Sequence, residues 1–426
     1  MEIVLFGLFF FLMAILGTPL FIIIGAIGLL CFYNVGIDSS AIIIEMYRLT
    51  NSPALMAIPL FTFAGYILSE SNAPKRLVNL SRALLGWIPG GLAVVSLISC
   101  AVFTAFMGAS GVTIIALGGL LFPSLISEKY PEKFSLGLLT SSGSLGLLFP
   151  PSLPIILYGL VAQISIDKLF LAGLLPGTLM IVLLTIYSVS IGKRIRLPVV
   201  AFSWRNVGNS LKEAIWEIPL PFLIIGGIYG GFFTVTEAAA ITAVYVIIVE
   251  VFLYREIHLF RDVPKIMRKS MLLVGGILII LGMALGLTNY LIDAEIPMKI
   301  LDLMQQHVHS KILFLIMLNV FLLILGCMLD IFSAIIVTVP LIVPVATSFG
   351  VDPIHLGIIF LANLEIGYNT PPVGINLFIA SFRFKKPILK LYLAAIPFLI
   401  ILLISLIIIT YIPDLSLWLV RVSGSP

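Results

Sequence analysis

Two Pro-Pro pairs, Pro150-Pro151 and Pro371-Pro372, stand inside long apolar stretches of this 426-residue chain. In a helix each N–H bonds the carbonyl four residues earlier, and proline has no N–H to give. Pro150 and Pro151 therefore free the carbonyls of Gly146 and Leu147, and Pro371 and Pro372 free those of Gly367 and Tyr368. An unsatisfied carbonyl in hydrocarbon is costly unless something fills it. A hard, oxygen-seeking cation such as Na+ is a natural filler, and glycine at 146 and 367 lets another backbone approach closely.

Polar side chains gather at the same places. Ser141, Ser142, Ser144 and Ser152 surround the first break, and Asn363, Glu365, Asn369, Thr370 and Asn376 the second. A single Ser or Asn can simply re-satisfy a broken backbone. A set repeated in both halves points to an ion or substrate site. Two further interruptions read Phe106-Met-Gly108-Ala-Ser110-Gly111-Val-Thr113 and Cys327-Met-Leu-Asp330-Ile-Phe-Ser333. A tip between two half-helices turns the N-terminus of the second toward the site, which favours an anion. Asp330 is an intramembrane carboxylate and hence a functional candidate, with a local helix cap as its competing role. Glu237 and Glu365 are weaker candidates, each near a helix end.

These residues need a membrane fold to position them. Hydrophobic residues make up 61% of the chain and charged ones 10%, against roughly 25% charged in a soluble domain. Apolar stretches of the ~20 residues that cross a bilayer recur throughout, without the short alternating segments of a β-barrel. Spans are expected near 4–33, 52–71, 135–165, 169–191, 215–233, 236–254, 270–292, 355–382 and 391–412. The segments 93–126 and 312–346 each have a polar or glycine-rich middle, as two close spans or one re-entrant hairpin would. The stretch Lys75–Trp87 reads as an amphipathic helix along the interface, and Arg255–Lys269 as a similar one. Cys31, Cys100 and Cys327 lie singly in apolar segments and read as small buried hydrophobes. His307 and His309 have no third ligand nearby and read as a solvated face.

Charge sets the orientation. The segments 72–92, 127–134, 192–214, 255–269 and 383–390 hold 19 of the 24 Lys and Arg residues, which makes them cytoplasmic. The N-terminus is then inside and the C-terminus outside.

The chain also repeats itself. A shift of 221 positions brings Met107 onto Met328, Pro123 onto Pro344, Gly146 onto Gly367 and Pro150-Pro151 onto Pro371-Pro372. Upstream, Tyr66 and Pro74 correspond to Tyr290 and Pro297 at a slightly different offset. Basic residues precede the first hairpin and acidic ones the second, so the two copies are inverted. Inverted repeats with discontinuous helices are the sequence pattern of a secondary transporter with its site at the membrane midplane. An intramembrane enzyme is disfavoured, because no Ser/His, Cys/His or His-Glu-x-x-His constellation sits in any span.

The segments GGLAVVSLISCAVFTAFMGASGVT, SSGSLGLLFPPSLPIILYG, GGFFTVTEAAAITAVY and GVDPIHLGIIFLANLEIGYNTPPVGINLF carry a resemblance. They are similar to the large membrane subunit (M subunit) of tripartite ATP-independent periplasmic transporters over about residues 1–415. The resemblance implies an all-α, polytopic, inverted-repeat transporter of the elevator type in a bacterial inner membrane. It also implies coupling to sodium, a periplasmic substrate-binding protein and a small four-helix membrane subunit, and no organic cofactor. Scaffold would comprise 1–71, 166–292 and 383–426, with arms at 72–92 and 293–311 and a transport core at 93–165 and 312–382.

Carried over by position, the first sodium site falls on Gly108, Ser110, Gly146, Leu147 and Pro150. The second falls on Asp330, Ser333, Gly367, Tyr368, Thr370 and Pro371. Ser110, Ser144, Ser152, Asp330, Asn369 and Asn376 are the candidates for substrate. The family's first tip commonly reads Ser-Gly-Ser, where this chain has Gly108-Ala-Ser110-Gly111. The implied cargo is a small organic acid, such as a dicarboxylate or a sialic acid. A stand-alone sodium- or proton-coupled symporter or antiporter of the same design is the second reading. This chain has no N-terminal small-subunit extension of the kind some relatives carry, so a separate partner is expected.

Overall fold

The structure, a computed structural model, describes residues 9–10, 12–13, 16–38, 40–195, 201–308 and 310–423. Every regular element among them is helical: twenty α-helices from Leu20 onward, with short 3-10 or π-helical pieces at a few of their ends. The first repeat opens with α1 (Leu20–Val35), α2 (Ser40–Leu49) and α3 (Ala57–Glu70), then the amphipathic α4 (Ala73–Leu85). Its hairpin is α5 (Gly91–Met107) and α6 (Ser110–Ser127). Its broken helix is α7 (Glu132–Ser142) and α8 (Leu153–Ala162), followed by α9 (Ile166–Ile195). After α10 (Trp204–Glu213), the second repeat runs through α11 (Pro219–Tyr229), α12 (Val235–Ile247), α13 (Val263–Asp293) and the arm α14 (Ile296–His307). Its hairpin is α15 (Lys311–Met328) and α16 (Ile331–Ser348), and its broken helix is α17 (Pro353–Gly367) and α18 (Ile375–Phe384). The last helices are α19 (Ile388–Tyr411) and α20 (Asp414–Val422).

Among the described residues, eight helices are long and apolar enough to cross a bilayer. The bent pair Glu132–Leu148 and Leu153–Ala162, angled at 44°, brings the number to nine. Three expectations need correction. The span expected at 4–33 lies partly outside the described residues and is interrupted: residues 9–10 and 12–13 are helical, and α1 begins at Leu20 after Pro19, which is fixed in an extended conformation (φ −55°, ψ 135°) that cannot continue a helix. Arg255–Lys269 is not a separate interfacial helix: residues 263–269 are the first two turns of the 31-residue α13, where Pro264 sits in the first turn as a proline can. Helices α2 and α20 were not foreseen, being too short and mixed in polarity to read as spans. His309 lies outside the described residues, and His307 lies at the end of the exposed arm α14, its ring Nδ1 3.0 Å from the Leu303 carbonyl.

Packing divides the helices into two groups. Helix α13 gathers α1, α2 and α3, and α3 also lies along α12. The hairpins and broken helices form the other group, and α9 and α19 pack on them rather than on α13: α19 lies along α7, and α9 along α5 and α17. Within 166–292 and 383–426, α9, α19 and α20 pack on the side of the hairpins. Close approach enforces this. A Cβ at Gly137 would run into the Ala394 carbonyl, and one at Gly173 into the Leu148 carbonyl.

The Thr-x-Thr-Glu-Ala-Ala-Ala motif is structural. Thr234 accepts from the Glu237 N–H, and the Glu237 carboxylate accepts from the Thr234 N–H at 2.8 Å, a reciprocal cap on α12. Thr236 donates to the Pro53 carbonyl at 2.9 Å. Glu237, a candidate from sequence, is therefore a capping residue. Thr234→Ala is expected to cost about 1 kcal/mol, measured as a lower thermal midpoint of the purified protein.

Candidate functional site

The two hairpin tips are tight two-residue turns that meet the two breaks. At the first tip Gly108 holds φ +63°, and a Cβ there would come within 2.5 Å of the Leu153 side chain. At the second, Leu329 and Asp330 join α15 to α16. The shift of 221 that relates the sequences also relates the contacts. Gly146 is pressed against Ala101, Thr104 and Ala105 of α5. Gly367 is pressed against Gly326 and Cys327 of α15, where a Cβ would lie 2.6 Å from the Gly326 carbonyl carbon. Ala105 and Gly326 are themselves 221 apart, as are the caps Ala109 and Asp330 that begin α6 and α16.

The second halves of the broken helices then cross over. Helix α8 lies on α16 of the opposite repeat, and α18 lies on α6. Ser110 at the first tip donates to the side-chain amide oxygen Oδ1 of Asn376 at 2.7 Å, joining the start of α6 to the start of α18. Ser144 reaches the Glu365 carbonyl at 3.4 Å, and these two residues are repeat equivalents. Their contact therefore marks the pseudo-two-fold axis. Asn369 donates to the Glu365 carbonyl at 3.2 Å and approaches Ser144 at 3.4 Å.

The carbonyls freed by proline are not all bare, which corrects the sequence expectation. Gly146 accepts from the Phe149 N–H at 3.0 Å, Gly367 from Thr370 at 2.9 Å, and Tyr368 from Asn376 at 3.1 Å. The chain tightens into 3-10-like turns before each Pro-Pro pair, so a donor three or more residues on replaces the missing one. Each carbonyl keeps a second lone pair for another partner. Both Pro-Pro bonds are cis. Pro150 is buried while Pro371 and Pro372 are exposed, so the two breaks differ in access.

Asp330 is the helix cap that was its competing role. Its Oδ1 accepts from the Phe332 and Ser333 N–H groups, both at 3.0 Å, and its Oδ2 from the Ser333 hydroxyl. It is nonetheless exposed, leaving it accessible to a second partner. The Tyr368 hydroxyl accepts from the Ile331 N–H, fixing the second break to the start of α16. Thr370 donates to the Ile366 carbonyl at 2.9 Å. Ser152 and Ser141 are fully buried, and neither hydroxyl has a hydrogen-bond partner among the described residues. The same holds for both carboxyl oxygens of the buried Glu365, which marks it as more than a packing residue.

Sequence reasoning missed Thr104. Its hydroxyl lies 2.7 Å from that of Thr113 and donates to the Gly143 carbonyl at 2.8 Å, tying the first tip to the first break. A threonine one turn before a tip is the signal that was available. It also missed Glu250, a carboxylate inside the apolar run Val246–Leu253.

A helical chain of two inverted repeats, whose hairpin tips close on two broken helices across one axis, is built as a membrane transporter. Its fold resembles that of the Alcanivorax borkumensis YdaH transporter, with a TM-score of 0.58 over 90% of this chain and 88% of that one at 14% identity. Residues 6–415 match the family model described as "Tripartite ATP-independent periplasmic transporter, DctM component", and the chain belongs to that family. It is 36% identical to the C4-dicarboxylate TRAP transporter large permease protein DctM of Pseudomonas aeruginosa over 92% of each chain. It is 35% identical to the isethionate TRAP transporter permease protein DctMQ of Oleidesulfovibrio alaskensis, over 97% of this chain and 66% of that one. It is 32% identical to the ectoine/5-hydroxyectoine large permease protein UehC of Ruegeria pomeroyi over 95% of each. The chain is thus a multi-pass TRAP large permease, a transport protein and not an enzyme.

Proposed function

We propose that the chain imports a small organic acid, driven by sodium, with a periplasmic binding protein and a small membrane subunit in a bacterial inner membrane. The observation that carries this reading is the closure of both tips on both breaks, joined across the repeats by Ser110 and Asn376. Each junction presents backbone oxygens beside a hydroxyl or carboxylate, a donor set suited to a sodium ion. The first set is Gly108, Ser110, Gly146, Leu147 and Pro150. The second is Asp330, Ser333, Gly367, Tyr368, Thr370 and Pro371. Ser144, Ser152, Asn369 and Asn376, with Ser110 and Asp330, face the substrate between them. The division of the helices into two packed groups suits an elevator motion of the hairpin group along α3 and α13. The concentration of basic residues in 72–92 and 192–214 favours a cytoplasmic N-terminus.

Relatives of similar identity are named for C4-dicarboxylates, isethionate and ectoine. Each of these compounds carries an acid group, so the proposal commits to that shared chemistry, with a C4-dicarboxylate as the first compound to test. Proteoliposomes holding the chain and its small subunit, given the binding protein outside, are expected to accumulate labelled succinate only under an inward sodium gradient. Uptake without sodium would overturn the coupling. Uptake by the chain without the binding protein would favour a stand-alone symporter.

A further inference from the structure

The cytoplasmic arm α4 carries a buried ionic node that the transport site does not use. Arg76, 7% exposed, meets three carboxylates. Its Nε donates to Glu217, its Nη1 to Glu256 at 2.6 Å, and its Nη2 to both oxygens of Glu250 at 2.8 and 3.1 Å. The guanidinium also lies over the Tyr254 ring, 3.8 Å from the centroid. Tyr254 donates to Glu217 at 3.1 Å, and the Asn72 N–H donates to Glu256 at 2.7 Å. Each carboxylate oxygen thus has a donor. Glu217 precedes α11, Glu250 lies in the π-helical turns Ile248–Leu253 that extend α12, and Glu256 leads to α13. One side chain therefore ties the arm to three segments, one before α11, one extending α12 and one leading into α13.

Among the described residues the opposite arm shows no such tie. The offset of 223 that relates Pro74 to Pro297 places Lys299 where Arg76 stands. Lys299 is exposed and donates to the Ala294 carbonyl of its own arm at 3.0 Å. Beneath α14, Ile300 and Met304 face Phe314, Leu318, Ile342 and Val345 across an apolar cavity of about 380 Å3. One arm is bolted and the other rests on a loosely filled apolar seat. Past Arg76 the chain reaches hairpin α5–α6 through Gly86, Gly90 and Gly91, and Gly90 at φ +79° needs the freedom only glycine has.

We propose that Arg76 is a positioning residue of the transport cycle, fixing α4 to the α3–α13 group so that the first hairpin moves about the glycine turn 86–91 while the second arm shifts with its hairpin. Removing one member of a buried charge cluster is disruptive because it strands the others, so the fork geometry of arginine is required and lysine replaces it only in part. The proposal rests on the transport reading above.

In sodium-driven uptake, Arg76→Met is expected to lower the maximal rate about tenfold or more with half-saturating sodium and substrate unchanged, and Arg76→Lys to recover part of it. Asn72→Cys with Arg255→Cys, bridged by a short thiol linker, is expected to leave the rate unaltered and to restore it in the Arg76→Met chain. Loss of uptake on bridging in the Arg76 background, or sodium affinity falling in step with the rate, overturns the proposal. Should the wild-type chain show no sodium-driven uptake, the functional reading fails separately. Hydrogen exchange then still decides: Arg76→Met must speed exchange across 73–85 and leave 143–152 and 367–374 unchanged, and unchanged exchange in the arm overturns the anchor.

Discussion

Gly146→Ala and Gly367→Ala are each expected to abolish sodium-driven uptake while the protein still inserts and folds. At Gly146 the new methyl would meet the Ala101 carbonyl and the Ala105 N–H, and at Gly367 the backbone of Gly326 and Cys327. Neither obstacle is a flexible side-chain end, so the hairpin arm must move off the broken helix. Overpacking of this kind costs about 1–3 kcal/mol, which a large membrane domain tolerates. The proposed ion site tolerates it less, because a shift of a fraction of an ångström alters every oxygen distance around a cation. Binding of sodium to the purified protein, followed by calorimetry, would be lost at one site in each variant. Full uptake by both variants would remove the tip–break junctions from the mechanism.

The second large effect separates the two roles of Asp330. Asparagine is as good an N-cap as aspartate, whereas alanine forfeits about 1 kcal/mol. Asp330→Asn is therefore expected to keep α16 and its melting temperature yet raise half-saturating sodium by about tenfold, since a neutral amide is a poorer cation ligand than a carboxylate. Asp330→Ala is expected to lose both stability and sodium response. If Asp330→Asn transports like the wild type, the residue is a cap alone. The geometry motivates the split: Oδ1 is taken by two N–H groups, while the exposed carboxylate has further acceptor capacity.

Much of this molecule can be read along the chain because hydrophobic periodicity, proline and glycine act locally. The hairpins at 93–126 and 312–346 emerge as α5–α6 and α15–α16, and the arm at Lys75–Trp87 emerges as α4, whose own ends are set by Pro74 and Gly86. The broken helices emerge where two prolines remove consecutive donors. The start of α13 was missed because its basic first turns look interfacial until the helix is seen to continue unbroken into the span.

By itself, then, the sequence determined a polytopic helical membrane fold, two inverted repeats and the positions of both breaks. Each follows from composition, from a shared offset of 221 or from a missing N–H. Only the tertiary structure decided which residues meet. Nothing in the spacing of Ser110 and Asn376 announces their bond, since it arises where α18 of one repeat crosses onto α6 of the other. Likewise Arg76, Glu217, Glu250 and Glu256 are scattered over some 180 positions of chain, as the Arg76–Glu256 separation gives, with no shared spacing to join them. The reason is physical: backbone donors are lost or kept within one turn of helix, whereas ion pairs and crossings depend on how whole helices pack, which no local pattern encodes.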